Sequence, residues 1–372
     1  MIYLDYSATT PLNKEVLDAF NEANLKIYGN PNSTHKLGIL AKELIDETTD
    51  IIKAILNASA YEVIYTSGAT EANNLAIKGF AEANNHRGKH IISSPYEHSS
   101  VTSCLNYLAK LGYEIDILGT DANGVVDLVE LEELIREDTI LVSIAMINSE
   151  LGILQDLKAI KEVIKKYSHV SFHSDMTQAI GKINVDVTVC DLVTFTGHKI
   201  YGIKGVGALL RKESINLVPV IHGGKSTSVF RGGTPAAPLI YSLGKAITTV
   251  YLDFDKKSKH IEELYHYLIN ELLPDIAISH LNSKSGIYHI VNISFIGLKA
   301  NVLQKALSDR GIYISTQTAC NSDSSFSMTV KRLTGSDELA ESSVRVSLSY
   351  LTKKSELDEL VNAIKEIIHE NS

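Results

Sequence analysis

Four features of this 372-residue chain have residue types suited to chemistry. Lys199 follows the apolar run of DLVTFTGHKIYGIKG, next to His198 and a loop rich in glycine. An amine at a strand end of an α/β sheet faces the crevice where such sheets take ligands. It can hold an aldehyde cofactor such as pyridoxal phosphate as a Schiff base. Asp175 ends VSFHSD, which alternates apolar and polar residues. A carboxylate there can partner a protonated pyridine nitrogen, and the protonated ring then draws electrons from a carbanion at a substrate α-carbon. In TSGATEANNLAIKGF, Gly68 permits a tight turn, while Ala69 and Thr70 open a helix whose N–H groups attract a phosphate. Cys320 heads the polar stretch CNSDSSFS, read as an exposed loop that keeps a thiol available. Taken singly, these are a solvated lysine, a turn acid, a helix start and a loop cysteine. The order and spacing of the lysine, aspartate and glycine turn suit a fold type I pyridoxal-phosphate enzyme.

The elements that must position them follow from the hydrophobic pattern. Between residues 62 and 210, strands are expected at VIYT, HIIS, YEIDIL, ILVSIAM, VSFHSD, DLVTFT and VGALL. Helices are expected to begin near Ala69, Ser99, Leu128 and Asp156, where apolar residues recur at three- and four-residue steps. The result is an α/β fold with a mostly parallel, doubly wound sheet. An N-terminal helix is expected directly after Thr10-Pro11, with Val16, Phe20, Ala23 and Ile27 on one face, and a second over 36–56. Past residue 236 a long helix leads to strands near 288–295, 313–315 and 343–348, a smaller α+β pattern. The expected division is a large domain over 1–255 and a small domain over 256–372 that carries Cys320, with residues 1–15 packing against the small domain.

Composition narrows the function classes. Lys and Arg number 35 against 44 Asp and Glu, a net charge of −9, which disfavours direct nucleic-acid binding. No secretory signal and no apolar run of membrane-spanning length is evident, so a cytoplasmic protein is expected. Cys104, Cys190 and Cys320 have no metal-site or disulfide spacing, and no metal is expected. Cys104 and Cys190 read as buried packing residues.

Eight segments occur in order: YLDYSATTP, YGNPNSTH, TSGATEANNLAIKG, EH at 97–98, NSELG, HSDMTQAIGK, TGHKIYGIKG and SSVRVSL. On these motifs the chain resembles the class V aminotransferases and, within them, the cysteine desulfurases of the NifS/IscS kind. The resemblance implies that Lys199 carries pyridoxal 5'-phosphate, that Asp175 partners the pyridine nitrogen, and that His98 stacks on the ring and assists proton transfer. It places Asn148 and Gln178 near the ring hydroxyl. It makes Ala69, Thr70, Thr196 and His198 phosphate ligands, joined by Thr234 from the second subunit of a homodimer. Arg345 would grip the substrate carboxylate, with Asn30 assisting. Cys320 would take the sulfur of L-cysteine as a persulfide, leave L-alanine, and pass the sulfur to an acceptor protein for iron–sulfur assembly or for tRNA or cofactor thiolation. A selenocysteine lyase or a class V aminotransferase would share Lys199, Asp175 and Arg345, and Cys320 argues against the aminotransferase. A non-catalytic sulfur-transfer scaffold is disfavoured by the joint retention of lysine, aspartate, phosphate turn and cysteine.

Several positions depart from the family pattern. HGGKSTSVFRGGT carries Lys225, Ser226, Thr227 and Ser228 where a Gln-Glu or His-Glu pair is usual. Met176 stands for a small residue beside the aspartate, with a shift of cofactor tilt expected, and Ile203 for a common proline. Ser325-Phe326-Ser327 stands where many relatives have leucine, glutamate and proline, and altered acceptor preference is expected there.

Overall fold

The computed structural model describes residues 1–284, 286–316 and 326–370. The chain enters on β1 (Ile2–Tyr3), followed by α1 (Lys14–Lys26) and α2 (Lys36–Ile55). The alternating region then gives β2 (Tyr61–Thr66), α3 (Ala69–Asn74), α4 (Phe80–Ala83), β3 (His90–Ser93), α5 (Ser99–Lys110), β4 (Glu114–Ile117), α6 (Leu128–Leu134), β5 (Thr139–Ser143), α7 (Leu157–Ile164), β6 (Ser171–Asp175), β7 (Leu192–Thr196) and β8 (Gly207–Lys212). These strands form one seven-stranded sheet in the order β2-β8-β7-β6-β5-β3-β4. β8 runs antiparallel to β2 and β7, and the other pairs are parallel. Every residue of β5, β6 and β7 is buried, as expected of central strands covered on both faces. Successive residues go to opposite faces. Val142, Phe172 and Val193 join one apolar cluster, while Leu141 and Leu192 join another beneath α5.

The first helix departs from its expected start. Thr10 does not cap it, because the Thr10 hydroxyl donates to the His198 carbonyl (3.0 Å) and accepts from the Tyr201 amide (2.7 Å). Asn13 caps α1 instead, its side-chain oxygen accepting from the Glu15 (2.8 Å) and Val16 (3.4 Å) amides. Pro11 therefore precedes the helix and holds extended chain against the lysine loop.

After α8 (Ala237–Tyr251) and α9 (Phe254–Tyr267) the pattern changes. β9 (Ser279–Leu281), β10 (Ile290–Phe295), α10 (Ala300–Asp309), β11 (Ile312–Tyr313), α11 (Met328–Thr334), α12 (Asp337–Ser342), β12 (Ser343–Ser347) and α13 (Lys354–Glu370) follow. β12, β10 and β9 form an antiparallel sheet, and β1 pairs in parallel with β11. The pattern did not reveal β1 and β9, which are two and three residues long. Ile2 and Leu4 share a separate apolar cluster with Val291, Ile293, Val344 and Leu360. The N-terminal segment thus runs from that second core, past the Asp5–Ser347 bridge, to the lysine loop. A small cluster of Tyr96, Leu151, Ile153 and Val330 docks α11 on the large sheet's loops.

Candidate active site

The C-terminal ends of β6 and β7 open onto a cavity of about 580 Å³, within the size range of small-molecule sites. Its wall includes Ala69, Thr70, His98, Asp175, Gln178, Thr196, His198, Lys199 and Arg345. Nine predicted residues from five separate stretches of chain are thereby brought together.

Lys199 sits in the turn after β7, and its amine donates to the main-chain carbonyls of Ser7 and Ala8. The same Ser7 carbonyl accepts from the Gln178 amide at 2.9 Å. Lys182 donates to the Gln178 oxygen, and its burial, with Lys199 and Arg345 nearby, pushes that amine well below the usual lysine range. Burial and the charges of Lys199, Lys204 and Lys182 push the His198 imidazole down to about 4. His198 Nδ1 lies 3.2 Å from the Thr9 hydroxyl.

Asp175, at the end of β6, is buried. It accepts from the Asn73 amide group (2.8 Å) and the Thr177 backbone amide (2.9 Å). His98 both caps α5, accepting from the Ser100 amide at 3.1 Å, and lines the cavity, so the helix-cap and site readings hold together. Burial holds its imidazole below the ordinary histidine value. Glu97 beneath it accepts from Ser94 and from the Ala145 amide (2.7 Å), and burial pushes its carboxyl up to about 8.

Arg345 comes from the middle of β12 and is 1% exposed. Its guanidinium donates to the Asp5 carboxylate (2.6 Å) and the Ser149 carbonyl (2.8 Å). Its buried Nε has no partner among the described residues, although the residue lines the cavity. A planar carboxylate is the group that such a donor edge suits.

The phosphate turn is shaped by two glycines. Gly68 adopts φ 156°, ψ 179°, a conformation essentially reserved to glycine, and caps α3 without a side chain. A Cβ on Gly207 would lie 2.6 Å from the Phe195 carbonyl and 2.8 Å from the Gly68 Cα, so β8 can pass the turn only as glycine. Glu71 braces the turn, accepting from the Ser67 amide (2.8 Å) and Arg231 (2.9 Å). Burial pulls its carboxyl upward, but those bonds outweigh it and hold it below the usual range.

Other predicted residues are not on this wall. Asn148 is buried, with its oxygen accepting from the Glu150 and Leu151 amides (3.0 and 2.7 Å) and its nitrogen donating to Tyr96 (3.0 Å). It shapes the NSELG loop, whose neighbours Ile147 and Ser149 reach the cavity. Asn30 is exposed and its side chain closes a turn onto the Asn32 amide at 2.9 Å. Thr234 is exposed and away from the cavity of the single chain. Met176 turns into the main apolar cluster, opposite Asp175, so it fills the core and does not face the cavity. Cys104 and Cys190 are buried, and burial pushes the Cys104 thiol up to about 11.

Cys320 lies outside the described residues. The described chain stops at residue 316 and resumes at residue 326. Ser315 pairs with Arg345 through two backbone bonds of 3.2 and 2.6 Å. Ser327 caps α11, accepting from the Val330 amide at 3.0 Å, and donates to the buried Glu150 carboxylate. Sequence reasoning missed Asp5, Ser7, Asn73, Glu97 and Ser149. Of these only Asn73 left a signal, since it stands one helical turn after Ala69 and Thr70.

A model of the family described as Aminotransferase class-V matches residues 2–360. "Cysteine desulfurase IscS" of Dictyoglomus turgidum is 37% identical, over 99% of this chain and 94% of that protein. "Cysteine desulfurase IscS" of Pectobacterium atrosepticum is 39% identical, over 99% and 92%. Among solved structures, a "NifS-like protein" superposes with a TM-score of 0.92 at 31% identity, covering 99% of each chain. "SspA in complex with cysteine" superposes with a TM-score of 0.83 at 30% identity, covering 95% of this chain and all of that one.

Proposed function

Because this chain belongs to the aminotransferase class-V family, we propose that it is a pyridoxal-phosphate-dependent cysteine desulfurase, which takes sulfur from L-cysteine onto Cys320 and releases L-alanine. The observation that carries this reading is the convergence of Lys199, Asp175, His98 and Arg345 on one cavity wall.

The fit to the cofactor rests on the wall itself. Lys199 supplies an amine to hold the aldehyde carbon, and Asp175 a buried carboxylate to pair with a ring nitrogen. Gly68 leaves the first amides of α3 without a side-chain cap, and Ala69, Thr70, Thr196 and His198 stand around them to take the phosphate. Bound pyridoxal phosphate supplies the electron sink that stabilises a carbanion at the substrate α-carbon.

This chain's own residues do the rest. The partnerless Nε edge of Arg345 receives the substrate carboxylate, exchanging for or sharing with Asp5. The Lys199 amine takes the α-proton, and His98, whose burial favours the neutral imidazole, exchanges protons during reprotonation. The Cys320 thiolate attacks the substrate sulfur. The carbon–sulfur bond breaks with its electron pair left on the carbon fragment, a sulfur–sulfur bond forms, and protonation of that fragment gives L-alanine. Cys320 follows Ser315 by five residues, a contour of roughly 17 Å, and Ser315 pairs with the strand that carries Arg345. That tether supports delivery of the thiol to the cavity.

A homodimer with Thr234 serving the partner's cavity, and with Asn30 assisting Arg345, belongs to the same reading. Ser226 bonds Asn32 at 2.7 Å, which joins the segment leading to Thr234 to the α1–α2 turn that holds Asn30. The sulfur acceptor is a protein, reached after the persulfide forms.

Given L-cysteine, the purified protein should release alanine and, with a reductant, sulfide. Cys320→Ser should keep the yellow cofactor but form no persulfide, and Lys199→Ala should lose the Schiff-base absorbance. Alanine produced by Cys320→Ser at the wild-type rate would reject the nucleophile.

A further inference from the structure

Asn73 is 0% exposed, one helical turn into the element that opens with Ala69 and Thr70. An amide buried this deeply costs stability unless its donors and acceptor are met, and an apolar side chain would be the simpler filler. Both donors and the oxygen are engaged. The Asp175 carboxylate only accepts, which turns the Asn73 nitrogen toward it and leaves the oxygen to accept from the Thr194 hydroxyl. The Asn73 nitrogen donates to the Asp175 carboxylate at 2.8 Å and the Ser100 hydroxyl at 2.9 Å.

We propose that Asn73 is a positioning residue that ties the Asp175 carboxylate to the His98 imidazole and, by directing the Ser100 hydroxyl hydrogen, reinforces the backbone bond that holds His98 Nδ1 as the acceptor. Having accepted from Asn73, the Ser100 hydroxyl has one hydrogen to place, and His98 Nδ1 lies 2.8 Å away. The Ser100 backbone amide donates to the same Nδ1 at 3.1 Å. With two donors directed at it, Nδ1 is the acceptor, and neutral His98 bears its hydrogen on Nε2. Asp175 is held in turn between the Asn73 nitrogen and the Thr177 amide, so one buried amide positions the acid and supports the tautomer of the base. This rests on reading Asp175 and His98 as the cofactor-facing pair.

The test uses full-length protein labelled with nitrogen-15 histidine, with the His98 nitrogens identified by their loss in His98→Gln. Wild type should show the Nε2–H form. Asn73→Ala should shift the His98 Nδ1 resonance, while the Ser100 amide keeps the Nε2–H form, and should speed release of pyridoxal phosphate roughly tenfold, the worth of a hydrogen bond to a charged group. Ser100→Ala cuts only the histidine branch, so it should shift the His98 nitrogens and leave cofactor release unchanged. If Asn73→Ala does not fold, Ser100→Ala decides, and unaltered His98 nitrogens in that variant overturn the proposal. A folded Asn73→Ala that melts earlier, yet keeps both the nitrogen shifts and the release rate, marks a packing role and overturns it as well. Should wild type fail to retain pyridoxal phosphate while the nitrogens respond as expected, the reading of the cavity falls and the coupling stands.

Discussion

Glu97 illustrates how a single buried group couples the site to stability. Burial raises its carboxyl to about 8, the nearby Asp175 charge adds to the rise, and the Ser94 and Ala145 bonds oppose it. Between the unfolded value near 4.5 and about 8, the folded protein holds a proton that the unfolded chain releases. Folding stability contributed by this group is therefore present below that window and lost as pH rises through it. Glu97→Gln removes the slope, so its stability relative to wild type should increase with pH by on the order of a few kcal/mol, levelling off at higher pH. Urea unfolding at a series of pH values checks this, and a pH-independent difference would contradict the buried-acid assignment. Lys199 and Asp175 were legible in the sequence because a strand end followed by glycine or a turn leaves an amine or carboxylate with a task. Asp5 and Ser7 were not, since each looks like an ordinary loop residue until the chain brings its partner from far away.

At the scale of elements, the Ser327 departure has a structural account. At the position where the family resemblance implies proline, this chain carries a hydroxyl that accepts from Val330 and donates to buried Glu150, fixing the start of α11 to the loop that shapes the cavity. Ser327→Ala loses a cap worth about 1 kcal/mol and one donor to a buried carboxylate worth about 1–3 kcal/mol. Asp is at least as good a cap as Ser, but Ser327→Asp sets a second carboxylate against Glu150. We predict that Ser327→Asp is less stable than Ser327→Ala in equilibrium denaturation; the reverse order would mean that capping alone matters here. The strands over 62–210 were readable from their apolar runs, since central strands covered on both faces need little else. The start of α1 was misread for a tertiary reason: Thr10, a good cap by type, is engaged by the loop of Lys199, which lies far along the chain.

For the whole molecule, the described residues form two main bodies of apolar packing, around the seven-stranded sheet and around β10 and β12, with the N-terminal segment crossing from one to the other. No helix among the described residues is long and apolar enough to cross a membrane. Several large apolar residues of α1 and α2 are exposed, Leu25 at 79% among them, on the elements that flank Asn30. If Thr234 serves the partner's cavity, Thr234→Ala and Lys199→Ala homodimers should each be impaired, and hybrids formed by mixing them should regain activity in the site that pairs an intact Lys199 with an intact Thr234. Absence of any recovery, with hybrid formation verified by mass, would place Thr234 outside the partner's site. The sequence alone determined the chemistry at hand, namely an amine, a carboxylate, a glycine turn, an arginine and a thiol, along with the strand-and-helix alternation that carries the first three, because residue type and local periodicity are properties of short stretches. Only the tertiary structure decided that the arginine of β12 reaches Asp5, that residues 7 and 8 cover the lysine, and that one buried asparagine joins the acid to the base. Those relations depend on which distant segments meet, and no local pattern encodes that.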